Sequence, residues 1–180
     1  MIRFRTIRSR ILALGTVLAS IGVLVRHFIA LPMMQDNLQE LVAAQQLSIA
    51  SYVARGVDYS ISSRLNLIGQ LAADFPPELV GNPERLRAWL KERQRLNPLF
   101  NSGLMVVPPD GKGTLASYPV VAGRDKLDYS KSDWFLNAMR LDRPVMGVPF
   151  RGRASGEPII MFSAPLRDGN GKLVAEIAGV

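Results

Sequence analysis

The sequence has no cysteine and a single histidine, His27. The first absence excludes a disulfide framework, a Cys-based zinc site and a thiol nucleophile. The second removes the base that a Ser-His or Cys-His triad requires. His27 lies beside Arg26 at the end of an apolar run, where it reads as an interfacial residue, not a metal ligand. The sequence contains no His-Glu-x-x-His run and no Gly-x-Ser-x-Gly elbow. Asp128 and Asp133 could be imagined as an acid pair, but a loop turn and a helix N-cap account for them. Asp110-Gly-Lys-Gly113 and Asp168-Gly-Asn-Gly171 lack the acidic ligands of a calcium loop and read as hairpin turns. No enzyme is therefore expected within these residues, and no cofactor.

Acidic residues are missing from the start of the chain. The first is Asp36, whereas Arg3, Arg5, Arg8, Arg10 and Arg26 all precede it. The formal charge of +7 is mostly theirs: beyond Arg26, 17 basic residues face 15 acids. A phosphate-binding surface needs a concentrated basic face, so no nucleic-acid partner is expected. Ile11 to Val25 is uncharged and mostly apolar. With Arg26 snorkelling to the interface, a transmembrane helix over 11–31 is expected. The arginines before it put residues 1–10 in the cytoplasm and the rest outside the inner membrane. A signal peptide cleaved near Val17-Leu18-Ala19 is the alternative, but its apolar core would be too short.

Residues 32–77 read as one long helix. Leu38, Leu41, Tyr52, Val53, Val57, Ile61, Leu65, Ile68, Leu71 and Phe75 follow three-to-four spacing through most of the run, and Pro76-Pro77 stops it. At 1.5 Å per residue the rod is roughly 60 Å long. A partner helix from a second copy, or a sheet, is expected along it. Asn82-Pro83-Glu84 opens another helix that ends before Pro98. Two strands follow around a Pro-Asp-Gly turn, then a helix over 132–141, then three strands turning at Ser155-Gly156 and Asp168–Gly171. The fold class is α+β: an antiparallel sheet of about five strands over 78–180 with the long helix behind it. The chain ends at Val180 while still strand-like. A fragment or truncated reading frame is expected, with an exposed edge strand.

This order, with "DYSKSDWFLNA" over 128–138 and "RPVMGVPFRGRASGEPIIMFSAPLRDGNG" over 143–171, resembles the double Cache sensor domains of bacterial membrane receptors. The pattern is D-(Y/L)-S-x-x-x-(W/Y)-F-x-x-A, then x-P-V, S-G-x-P and P-(L/V)-x-D-x-x-G. The resemblance covers roughly 35–180 and implies a PAS-like sheet on the long helix. It further implies a second span and a cytoplasmic output domain: a diguanylate cyclase, a histidine kinase or a chemoreceptor signalling domain. In the amino-acid-binding branch, an Arg two residues before the Trp grips the ligand carboxylate. Here that position is Ser132. The Tyr expected seven before the Trp is Leu127, with Tyr129 nearby, and the Tyr-x-Asp that receives the ligand amine is Phe150-Arg151-Gly152. The aromatic positions Trp134, Phe135 and Phe150 fit, and the charged ones do not.

The resemblance thus implies a sensor pocket with a different ligand. Tyr129, Lys131, Ser132, Trp134, Phe135, Phe150, Arg151 and Arg153 are its expected residues. The three basic ones favour a small carboxylate, which an arginine fork matches in two bonds. They can also be read as solvated hairpin charges, and the adjacent rings Trp134 and Phe135 as plain core. The competing function is a membrane-anchored assembly module that binds no small molecule.

Overall fold

The computed structural model describes residues 7–180, and only the backbone across 29–40. The chain divides into two compact units, Met1–Gly56 and Val57–Val180.

In the first unit, α1 spans Ile7–Val25. Ile7–Phe28 is long and apolar enough to cross a membrane, and none of it is buried against protein. Its hydroxyls need partners in such a setting. Thr16 donates to the Leu12 carbonyl at 2.9 Å and Ser20 to that of Thr16 at 2.8 Å. A π-helical turn, Arg26–Ala30, leads into α2, Leu31–Ala73. Pro32 has no backbone N–H to give an i−4 carbonyl, and the widened turn falls just before it.

In the second unit, α3 spans Pro83–Leu96. Asn82 caps it by accepting the Arg85 N–H at 3.0 Å. The main sheet is antiparallel and five-stranded, in the order β2-β1-β7-β6-β3. Its strands are β1 Leu104–Val107, β2 Ala116–Tyr118, β3 Val145–Met146, β6 Phe162–Arg167 and β7 Leu173–Gly179. A separate ribbon pairs β4 Phe150–Arg151 with β5 Pro158–Ile159. The last strand is central: β7 is paired on both sides, by β1 and β6, and the edges of the sheet are β2 and β3.

Strand alternation sorts the side chains. Leu104, Val106, Phe162, Ala164, Leu166, Ala175 and Ile177 share one face. They pack with Ile68 and Leu71 of α2, and with Leu86 and Leu90 of α3, in one buried cluster. Trp89 sits at its margin, edge-on to Phe75 with ring centres 5.5 Å apart. Met105, Val107 and Ala178 alternate to the opposite face, where they meet Trp134 and Phe135 of α4, Asp133–Leu141.

The segment expected as one strand after α4 is broken in two. β3 pairs with β6 as Met146↔Phe162, and β4 with β5 as Phe150↔Ile159. Three residues, Gly147–Pro149, therefore oppose two, Ile160 and Met161. The extra residue is a bulge that bends the hairpin. Gly147 is required at this bend, since a Cβ there would lie 2.8 Å from that of Trp134.

Candidate ligand-binding site

The open face of the sheet is covered by α4, by the turn 124–130 and by the β4–β5 ribbon. The turn is pinned from below by the β1–β2 loop. Gly113 N–H donates to the Leu127 carbonyl at 2.8 Å, and Tyr129 N–H to that of Gly111 at 2.7 Å. Gly113 has φ +74°, and a Cβ on it would strike the Asp125 carbonyl oxygen. The Tyr129 hydroxyl donates to the Arg124 carbonyl at 3.1 Å. Asp128 accepts from the N–H and hydroxyl of Ser130, at 2.9 and 2.6 Å, which closes the turn and draws its pKa down. Ser132, not Asp133, is the N-cap of α4. Asp133 is its first residue and accepts from the Asn137 amide at 2.8 Å.

Two adjoining chambers lie between these parts. The inner, of about 40 Å³, is walled by Met105, Leu127, Tyr129, Ile159, Met161 and Val180, with Arg124 and the loop 152–155. The outer, of about 370 Å³, is reached past Asp128, Lys131, Asp133, Val148 and Pro149. Ser132, Trp134, Phe150 and Arg153 line both.

Trp134 and Phe135 are both buried, at 2% and 3% exposure, with ring centres 5.9 Å apart and planes at 89°. Their roles differ. Trp134 walls both chambers. Phe135 lines neither and fills the apolar cluster beneath. Of the other expected residues, Tyr129 lines the inner chamber and Lys131 the outer. Arg151 lines neither: in β4 it alternates away from Phe150, and its Nη1 donates to the Gly156 carbonyl at 2.8 Å. Arg153 Nη2 donates to the Asp128 carbonyl at 2.5 Å, and its guanidinium lies 5.6 Å from the centre of the Tyr129 ring. Burial raises the Tyr129 phenol pKa against the pull of Arg124 and Arg153.

Two buried ionisable residues on this side were not anticipated. Arg124 is 7% exposed, and its Nη1 has no hydrogen-bond partner. Burial lowers its pKa. In the sequence it stands among Asp125 and Lys126 and reads as a surface turn. Glu176 is 0% exposed and sits mid-β7, opposite Val107. Burial pushes its carboxyl up to about 8. The Ser163 hydroxyl donates to the Trp134 carbonyl at 3.2 Å and both Glu176 oxygens are unpaired; turned to Glu176, that hydroxyl opposes the effect of burial. An acid inside the apolar run Leu173–Val180 was the available signal for that residue.

No family model matches the chain, and no curated protein does. Solved structures do. The ligand-binding domain of the Pseudomonas fluorescens chemoreceptor CtaA, in complex with L-serine, matches 78% of this chain and 59% of its own at 19% identity, TM-score 0.61. That of the Pseudomonas aeruginosa amino-acid chemoreceptor PctC, in complex with GABA, matches 73% and 60% at 21% identity, TM-score 0.58. The fold is that of Cache/PAS-like sensor domains. The sensor domain of Escherichia coli DcuS shares this Cache-like fold, over 68% of this chain and 87% of its own at 17% identity, TM-score 0.50. The chain spans about 60% of the length of the two chemoreceptor domains it matches.

Proposed function

We propose that this chain is the sensory part of a transmembrane receptor. Its N-terminus lies in the cytoplasm, 11–31 crosses the inner membrane of a bacterial cell, and 78–180 forms an extracytoplasmic sensor module. The module takes a small carboxylate into the two chambers on the open face of the sheet. Trp134 and Phe150 wall the ligand, with Tyr129 and Ser132 beside them. Arg153 and Lys131 line the outer chamber, where Asp128 and Asp133 balance their charge, and the two cations are the groups there that can meet a carboxylate. The assignment extends the sensing role of the structural neighbours to a different ligand. It rests on one observation: an aromatic-walled pair of chambers whose lining includes the cations Arg124, Lys131 and Arg153, with acids at the outer one alone. Arg151 supports the β4–β5 ribbon from behind. Two copies associate along the long helix of 32–77, whose Leu41, Leu47, Ile49, Tyr52 and Val53 are all exposed. Ligand binding biases the packing of those helices between two arrangements and so passes inward.

The test is thermal unfolding of the full chain in detergent micelles against a panel of organic acids, amines, amides and sugars. A saturable rise in Tm with an acid, lost in Trp134→Ala, is expected. No shift with any compound favours the assembly module instead. Light scattering of the same sample should give the mass of two copies.

A further inference from the structure

We infer that Arg124 is the buried anchor of the inner chamber and that it selects a small carboxylate bearing no ammonium group. The inference rests on the sensory reading above and names a residue outside the expected set. Three observations on independent groups carry it.

The first is Arg124 itself. A guanidinium this deeply buried ordinarily meets a carboxylate or several carbonyls. This one lines the chamber, and its Nη1 is unpaired. The backbone of the turn that carries it is held by the Tyr129 hydroxyl and the β1–β2 loop, which fixes where the side chain starts. Arg153 differs, because its guanidinium already donates to Asp128 and lies over Tyr129.

The second is Trp134. Its indole Nε1 is also buried without a partner, on a residue of the same chamber. Among the described residues that line this chamber, the buried side-chain atoms without a partner are these two donors, which an acceptor-rich group would satisfy. A carboxylate supplies four lone-pair sites and one negative charge.

The third is what the wall lacks. Among the described residues, no aspartate or glutamate lines the inner chamber. Asp128 and Asp133 line the outer chamber alone, so an α-ammonium group held in the inner one next to the carboxylate would be desolvated beside Arg124 and Arg153 with no anion in that wall. The like-charge repulsion disfavours it. At about 40 Å³ the chamber holds a head group, and the rest of the ligand extends past Trp134 and Phe150 into the outer chamber.

The experiment is calorimetric titration of the full chain in micelles with propionate, butyrate, alanine and propionamide. Wild type should bind propionate or butyrate at least tenfold more tightly than alanine or propionamide. Arg124→Gln should weaken propionate at least thirtyfold and abolish its advantage over propionamide, while Arg124→Lys keeps part of it. The ligand-free Arg124→Gln protein should melt higher than wild type, because an uncompensated buried charge is gone. That result also shows that the variant folds. Unchanged propionate affinity in Arg124→Gln overturns the anchor and leaves the sensory reading intact. Tighter binding of alanine than propionate overturns the selection. If wild type binds none of the four, the carboxylate anchor is wrong, and the wider panel above decides sensing separately.

Discussion

The two faces of the central sheet are made by the same strands and differ in every respect that matters for function. Residues alternating toward α2 and α3 are all apolar: Leu104, Val106, Phe162, Ala164, Leu166, Ala175 and Ile177. All three buried polar residues of the sheet, Ser117, Ser163 and Glu176, alternate to the other side. That side also faces the buried Arg124 and the unpaired indole of Trp134. The helical side has unpaired atoms too, on Trp89, Arg93 and Gln94, but these belong to half-buried residues of α3 and not to the sheet. A buried polar atom without a partner costs roughly 1–3 kcal/mol. Both sides therefore carry such a cost, but within the sheet itself it falls on the open face alone, at Glu176. Both faces bury an apolar cluster, the larger one against α2 and α3, and the two chambers lie on the other side.

The largest expected effect tests that cost directly. The folded Glu176 carboxyl titrates at about 8, against an ordinary 4.5. Below pH 4.5 it is protonated in both folded and unfolded chains and contributes no pH dependence. As pH rises from 4.5 to 8 the unfolded chain ionises first, so the folded state binds more protons and stability falls. Above 8 both forms are ionised and the loss is complete, on the order of 4–5 kcal/mol for a shift of this size. Glu176→Gln should remove the slope and melt higher than wild type at pH 8. Equal wild-type stability at pH 5 and pH 8, by denaturant titration, would show that the carboxyl is paired.

The closed face should respond in the opposite sense. Leu166 is fully buried there. Leu166→Ala should destabilise by about 3 kcal/mol and leave ligand affinity unchanged, since the sheet separates it from both chambers. A tenfold loss of affinity in that variant, with folding intact, would mean that the two faces are not independent.

How far this division could be read in the sequence depends on the range of the interactions involved. Local signals were sufficient for α3, where Asn82 and Pro83 set the start and Pro98 the end. They also sufficed for the turns at Asp110-Gly111 and Asp168–Gly171, where the side chain and the glycine together dictate the backbone. The pattern around Trp134 marked three aromatic positions, of which Trp134 and Phe150 line the chambers and Phe135 does not. The break between β3 and β4 was not legible, because Val145–Arg151 has a strand-like composition. What bends it is the approach of Trp134 to Gly147 from another element. Arg124 was illegible for the same reason. Its neighbours are charged, and only the docking of the 124–130 turn on the β1–β2 loop buries it.

The smallest expected effect asks what holds α4 on the open face. Asp142 ends the helix at φ +50° and accepts from Arg167 Nε and Nη2, at 3.0 and 2.7 Å. Arg167 Nη1 also reaches the Gly171 carbonyl at 2.6 Å, so one side chain ties α4 to the β6–β7 turn. Both partners are exposed, at 39% and 57%, so water screens the pair. Trp134, Phe135 and Ala138 bury the opposite side of α4, and that apolar area is the stronger attachment. Arg167→Ala should therefore cost less than about 1 kcal/mol, with ligand affinity unchanged within twofold. A larger loss of affinity than of stability would mean that the position of α4 over the chambers is set from its exposed end, and that the wall formed by Trp134 moves with it.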